Sequence, residues 1–196
     1  MAERWRILVV DDDKDVLELI RLKLADEYDV LCVDQATEVG LAAQLFEPDL
    51  IILDIMLPRI SGYQVMDFLK RNPLTAKTPV CFLSAKSSAR DLKYGYGLGA
   101  SFYLTKPFQP ERLLRNVKLQ FERTPPPHQR KHLQIAEINQ QFQTQGKTYW
   151  VATSSSDVPP TPAPEPSSSK PEKSEAPPRV PPPEEEDPRA RAHWID

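Results

Sequence analysis

Three aspartates are the residues whose type and placement suggest chemistry. Asp11 and Asp12 follow directly on the apolar run Arg6-Ile7-Leu8-Val9-Val10, and Asp54 closes the run Asp49-Leu50-Ile51-Ile52-Leu53. Clustered carboxylates repel and raise one another's pKa unless a cation neutralises them. Magnesium meets that need, because it prefers oxygen ligands, takes one or two protein carboxylates, and keeps waters that a phosphoryl oxygen can replace. Asp11 or Asp12 together with Asp54 therefore reads as a magnesium site with an open face. The carboxylate not held by the metal is then free to attack phosphorus and form an acyl phosphate. Asp54 is the better nucleophile, because the loop Ile55-Met56-Leu57-Pro58 behind it can hold it fixed yet accessible. Lys106 adds a compact positive charge suited to a carboxylate or phosphoryl oxygen, and Ser84 adds a hydroxyl donor.

Taken singly, each residue has a blander explanation. The aspartate pair resembles a helix cap, Asp54 a turn residue, Ser84 a capping hydroxyl, Lys106 a surface lysine, and Tyr103 a core aromatic with a polar tip. Only their joint placement argues for a site, and that depends on the elements carrying them.

Those elements alternate. Predicted strands at 6–10, 28–33, 49–54, 80–83 and 101–105 are interleaved with helical patterns at 16–24, 37–46, 63–71, 88–96 and 110–122. Gly95, Gly97 and Gly99 weaken the end of the fourth helix. Five βα units in succession imply an α/β fold, a parallel sheet covered by helices on both faces. Open sheets of this kind place their sites at the carboxyl ends of strands. Asp11, Asp12, Asp54, Ser84 and Lys106 all fall at or just past such ends.

The strand ending in Asp11-Asp12, the stretch Pro48 to Pro58 with Gly62, the segment Pro79 to Ser84-Ala85, and Gly99 to Phe108 together resemble the response-regulator receiver family, in the family's order across residues 5–122. The resemblance implies a flavodoxin-like five-stranded parallel sheet of order 2-1-3-4-5. It implies phosphorylation of Asp54, catalytic roles for Asp54, Ser84 and Lys106, and magnesium held by Asp11, Asp12, Asp54 and Met56. Ser84 and Tyr103 become the switch pair, with Tyr103 moving inward on phosphorylation, and the Lys106-Pro107 bond becomes cis. Asp13 matches no ligand and is expected to cap the first helix, with Asp15 adding charge near its N-terminus. Two departures stand out: Ser101 and Phe102 occupy positions that are often acidic in the family, and Lys86 stands where many members have a small residue. The expected partners are a histidine kinase or phosphotransfer protein, and a downstream protein meeting the face of the fourth helix, fifth strand and fifth helix. The chain is expected to be a phosphoacceptor switch rather than an enzyme, though it takes part in its own magnesium-dependent phosphorylation and dephosphorylation.

Composition changes abruptly after Arg123. Of 21 prolines, 15 lie beyond it. The expected organisation is a receiver at 1–123, a partly helical extension at 124–151 and a disordered Pro/Ser/Glu-rich tail at 152–196. Residues 1–123 carry 17 basic and 18 acidic side chains, and residues 152–196 five and nine, so no segment has the dense positive charge that phosphate-backbone binding requires. A nucleic-acid partner is therefore not expected. Alternatives are a transcription regulator whose residues 124–151 help bind DNA, and a scaffold whose Pro159-Pro160-Thr161-Pro162 and Pro181-Pro182-Pro183 dock an aromatic groove. His128, His132 and His193 lack partners at metal-ligand spacing. Two cysteines within predicted strands, an N-terminus without an apolar run, and no stretch of roughly 18 apolar residues suggest a cytoplasmic protein without membrane insertion.

Overall fold

The computed structural model describes residues 4–124 together with residues 137, 138, 140, 151 and 152. All of them belong to the first of the chain's two units, residues 1–161. The expected disordered tail beyond Ala152, its proline motifs, and the three histidines lie outside the described residues.

In chain order the elements are β1 (Arg6–Val10), α1 (Lys14–Leu24), β2 (Asp29–Val33), α2 (Val39–Phe46), β3 (Leu50–Asp54), α3 (Gly62–Arg71), β4 (Val80–Ser84), α4 (Ala89–Gly97), β5 (Phe102–Thr105), α5 (Pro110–Glu122) and β6 (Val151–Ala152). The sheet runs β5-β4-β3-β1-β2-β6. Its first five strands are parallel and have the order expected from sequence, with β6 added antiparallel beside β2. That sixth strand was not anticipated.

Successive side chains of a strand point to opposite faces, so a parallel sheet covered on both sides must be apolar at nearly every position. β1, β3 and β4 are buried throughout. Leu8, Val10, Ile51 and Leu53 pack with Phe46 of α2 and Met66 of α3 on one face. Ile7, Val9 and Ile52 pack with Ile20 of α1 and with Leu113 and Val117 of α5 on the other.

The helices begin on local signals. Asp13 caps α1, its Oδ1 accepting from the amides of Asp15 (2.9 Å) and Val16 (3.4 Å). Ser61 and Gln64 form a capping box at α3, and Ser88 caps α4. The helix expected at 37–46 divides into a 3-10 turn, Ala36–Glu38, and α2 proper. α2 then stops at Glu47, whose φ of 46° takes the backbone left-handed. Among the described residues no helix is long and apolar enough to cross a membrane.

Candidate functional site

Strand register builds the site. Val10 lies opposite Leu53, Asp54 opposite Leu83, and Ser84 opposite Thr105. The residues that follow, Asp11 after β1 and Lys106 after β5, therefore emerge at one level of the sheet beside Asp54 and Ser84. The amide of Asp11 donates to Val33 O (3.2 Å) and so ties this loop to the end of β2.

One carboxylate oxygen each from Asp11, Asp12 and Asp54 lies within 4.8 Å of the others. Asp11 is fully buried and Asp54 nearly so, whereas Asp12 is exposed. The Lys106 ammonium reaches both buried acids, at 2.6 Å from Asp11 Oδ2 and 2.7 Å from Asp54 Oδ2. Further donors hold each carboxylate: the Asp13 amide donates to Asp11 Oδ1 (3.0 Å) and the Met56 amide to Asp54 Oδ1 (2.9 Å). Burial pushes the Asp11 pKa above the ordinary carboxylate range, outweighing the opposing pull of Lys106. For Lys106, burial acts downward, but the hydrogen bonds and charges of Asp11 and Asp54 together carry it above the ordinary lysine value. Three carboxylates against one ammonium leave two negative charges at the mouth of the site. The donor set is all oxygen, with one exposed member, and fits a hard divalent cation that retains open positions.

α3 approaches this centre closely. A Cβ on Gly62 would fall 2.1 Å from the carbonyl oxygen of Asp54 and 2.7 Å from Ile55 Cα, so only glycine fits. The Gly62 amide donates to Ile55 O (3.0 Å), pinning the loop after Asp54 to the start of the helix.

Ser84 and Tyr103 meet through the backbone of Lys86. The Lys86 amide donates to Ser84 Oγ (3.2 Å), and the Tyr103 hydroxyl donates to Lys86 O (2.8 Å). Ser84 is fully buried and Tyr103 is 6% exposed, and burial pushes the Tyr103 phenol up to about 12. The Tyr103 ring, expected to move inward on phosphorylation, lies inside in this structure. The physical reason lies in α4. A Cβ on Gly95 would stand 3.0 Å from Tyr103 Cδ2, so glycine vacates the space the ring fills. Gly95 does not fray the helix, which continues to Gly97.

Asp11, Asp12, Asp54, Met56, Ser84, Tyr103 and Lys106, the site residues expected from sequence, all lie in this region. Met56 does so through its amide, its side chain being 55% exposed. The Lys106-Pro107 bond is cis, as the resemblance implied. Sequence reasoning missed the backbone role of Lys86 and the steric role of Gly95. Neither has a local signal, because each is defined by a contact with Tyr103. The Lys86 ammonium lies 5.6 Å from the centre of the Tyr63 ring.

The response regulator receiver domain matches residues 7–118, more than half of the chain. The chain belongs to the response regulator receiver family. Similar curated proteins include the DNA-binding dual master transcriptional regulator RpaA of Synechocystis sp., 41% identical over 133 residues that cover 66% of this chain and 55% of that one. Another is the alkaline phosphatase synthesis transcriptional regulatory protein PhoP of Bacillus subtilis, 38% identical over 114 residues covering 58% and 47%. Among solved structures, the beryllofluoride-activated DrrB receiver domain is 34% identical with a TM-score of 0.56, covering 61% of this chain and 99% of that domain. The chain spans about half the length of the curated relatives it matches. Because relatives are named as DNA-binding regulators, the expectation that nucleic acid is not a partner finds no support among them. As a receiver of two-component signalling, the chain carries the buried acidic cluster just described.

Proposed function

We propose that this receiver is a phosphoacceptor switch in which Asp54 takes a phosphoryl group from a histidine kinase or a phosphotransfer histidine, with magnesium as the cation. The observation that carries this reading is the Lys106 ammonium bridging Asp11 and Asp54 within a cluster of three carboxylates. Asp11, Asp12 and Asp54 would hold the metal, and any ligand from Met56 would be its carbonyl oxygen, because its thioether is a poor match for a hard ion. When bound, magnesium supplies charge neutralisation for the incoming phosphoryl oxygens. An oxygen of Asp54 forms the new bond to phosphorus as the bond to the donor nitrogen breaks, and the departing imidazole takes up a proton. Lys106 is already in place to pair with the added negative charge, and Ser84 offers its hydroxyl from the neighbouring strand end. Donating that hydroxyl to a phosphoryl oxygen would turn Ser84 and with it the bond that its Oγ accepts from the Lys86 amide. Lys86 also carries the Tyr103 bond, so the change reaches the α4–β5–α5 face, where a downstream protein would bind. On this reading the chain is a switch rather than an enzyme with a separate substrate.

Incubation with acetyl phosphate and magnesium should add one phosphoryl mass to the intact protein. Asp54→Ala, or chelation of the metal, should abolish it, and persistent labelling of Asp54→Ala would reject the assignment. A second reading, direct DNA binding in the whole protein, is favoured by the names of the relatives. A phosphorylation-dependent gel shift on one duplex at moderate salt would support it.

A further inference from the structure

The sheet does not end at β2. Val151 and Ala152 pair antiparallel with its outer edge, Ala152 opposite Val30 and Val151 opposite Leu31. A second contact comes from the same extension. Glu137, Ile138 and Gln140 are helical, and the Ile138 side chain is fully buried in the cluster that also contains Leu8, Leu31, Val33 and Phe46. Phe121, at the end of α5, belongs to the cluster on the opposite face. The extension therefore anchors on the face that α5 does not cover, and its strand closes the edge beside it.

An unpaired edge of β2 would present the backbone of Asp29–Val33, an aspartate followed by three aliphatic residues and a cysteine, to any extended segment. Added strands bind such edges through main-chain hydrogen bonds, with side chains refining the choice. The sequence Thr148-Tyr149-Trp150-Val151-Ala152-Thr153 is rich in aromatic and β-branched residues, the composition that suits a strand. No comparable run occurs between Arg123 and Lys147.

We propose that the β2 edge is a strand-accepting site whose occupant is the Val151–Ala152 strand of the same chain, with Ile138 as a second anchor of this strap. Tethering keeps the occupant at high effective concentration, so the edge stays closed to other extended segments while the strap is seated. Both anchors belong to the same compact unit as the receiver. This inference stands apart from the phosphoacceptor reading, because neither its residues nor its readout involve Asp54.

The test uses the full chain and amide hydrogen exchange followed by NMR. In β2, one of the amides of Val30 and Leu31 points toward β1 and the other toward β6. A Val151→Pro/Ala152→Pro double variant removes the backbone donors of β6. The amide facing β6 should exchange at least about tenfold faster in it, while amides of Ile51 and Ile52 in β3 keep their wild-type rates. Ile138→Asp should reproduce this pattern by expelling the anchor. Equal exchange in wild type and both variants would overturn the proposal, as would loss of protection in β3 to the same degree.

Discussion

At the scale of single residues, the centre combines groups that are poor choices for stability. Asp11 is fully buried, and burial raises its pKa despite a 2.6 Å bond to Lys106. A raised carboxyl pKa means that the folded state holds the proton more tightly than the unfolded chain. The ionised group therefore works against folding once the pH rises through the folded value, and does not do so below the ordinary carboxylate range. Asp11→Asn keeps the shape, removes the buried charge and relieves repulsion with Asp54, while Lys106 retains Asp54 as its partner. We expect this variant to be more stable at neutral pH by about 1 kcal/mol, or roughly 4 °C in melting temperature. The gain should disappear in acid, and magnesium-dependent labelling of Asp54 should be lost. Thermal melts at neutral and acidic pH alongside the labelling assay check this. A variant that melts lower at neutral pH would show that Asp11 contributes to folding rather than opposing it. Asp11, Asp12 and Asp54 were legible in the sequence because each ends an apolar run, and the spacing of such runs reveals the sheet edge. The pKa of Asp11 was not, since it depends on burial.

At the scale of elements, the strands and most helices were legible because their apolar periods are strong and their caps are local. β1 has the expected bounds, and β3 begins one residue later than expected. What escaped was set by contacts between elements. The glycines of α4 looked like breaks in a helix. Gly95 instead leaves room for a ring that arrives from β5, as the 3.0 Å separation between its added Cβ and Tyr103 Cδ2 shows. Gly95→Ala makes two opposing changes. Alanine favours the helix by about 1 kcal/mol, while its methyl presses on Tyr103 and, at 3.3 Å, on Phe82. The stability change should be small, within about 1 kcal/mol. The Tyr103 hydroxyl, however, should leave Lys86 O as the ring is displaced outward. NMR of the Tyr103 ring protons should report greater solvent access, and an unchanged ring environment would mean that α4 yields instead. β6 was missed for a related reason: two residues carry no periodicity, and their conformation comes from pairing with β2.

At the scale of the whole molecule, two unpaired thiols sample opposite halves of the sheet. Cys81 is fully buried in β4, and burial lifts its pKa well above the ordinary thiol value. Cys32 lies in β2, next to the edge that β6 closes. Its sulfur faces Leu17 O at 3.8 Å, and burial pushes its thiol up to about 12. Only the thiolate reacts readily with alkylating reagents. A thiol pushed up this far holds little thiolate near pH 8, so labelling of Cys32 is slow in the folded state and speeds up on opening. If the receiver opens as one cooperative unit, both cysteines should react at rates set by the same global equilibrium, rising together with urea. If magnesium binds the folded acidic cluster, as proposed, its addition should slow both equally. Peptide mapping after timed iodoacetamide exposure resolves the two sites. A Cys32 that labels well ahead of Cys81 without denaturant would show that β2 opens on its own, dividing the sheet between its edge and the β3–β4 centre that carries Asp54 and Ser84.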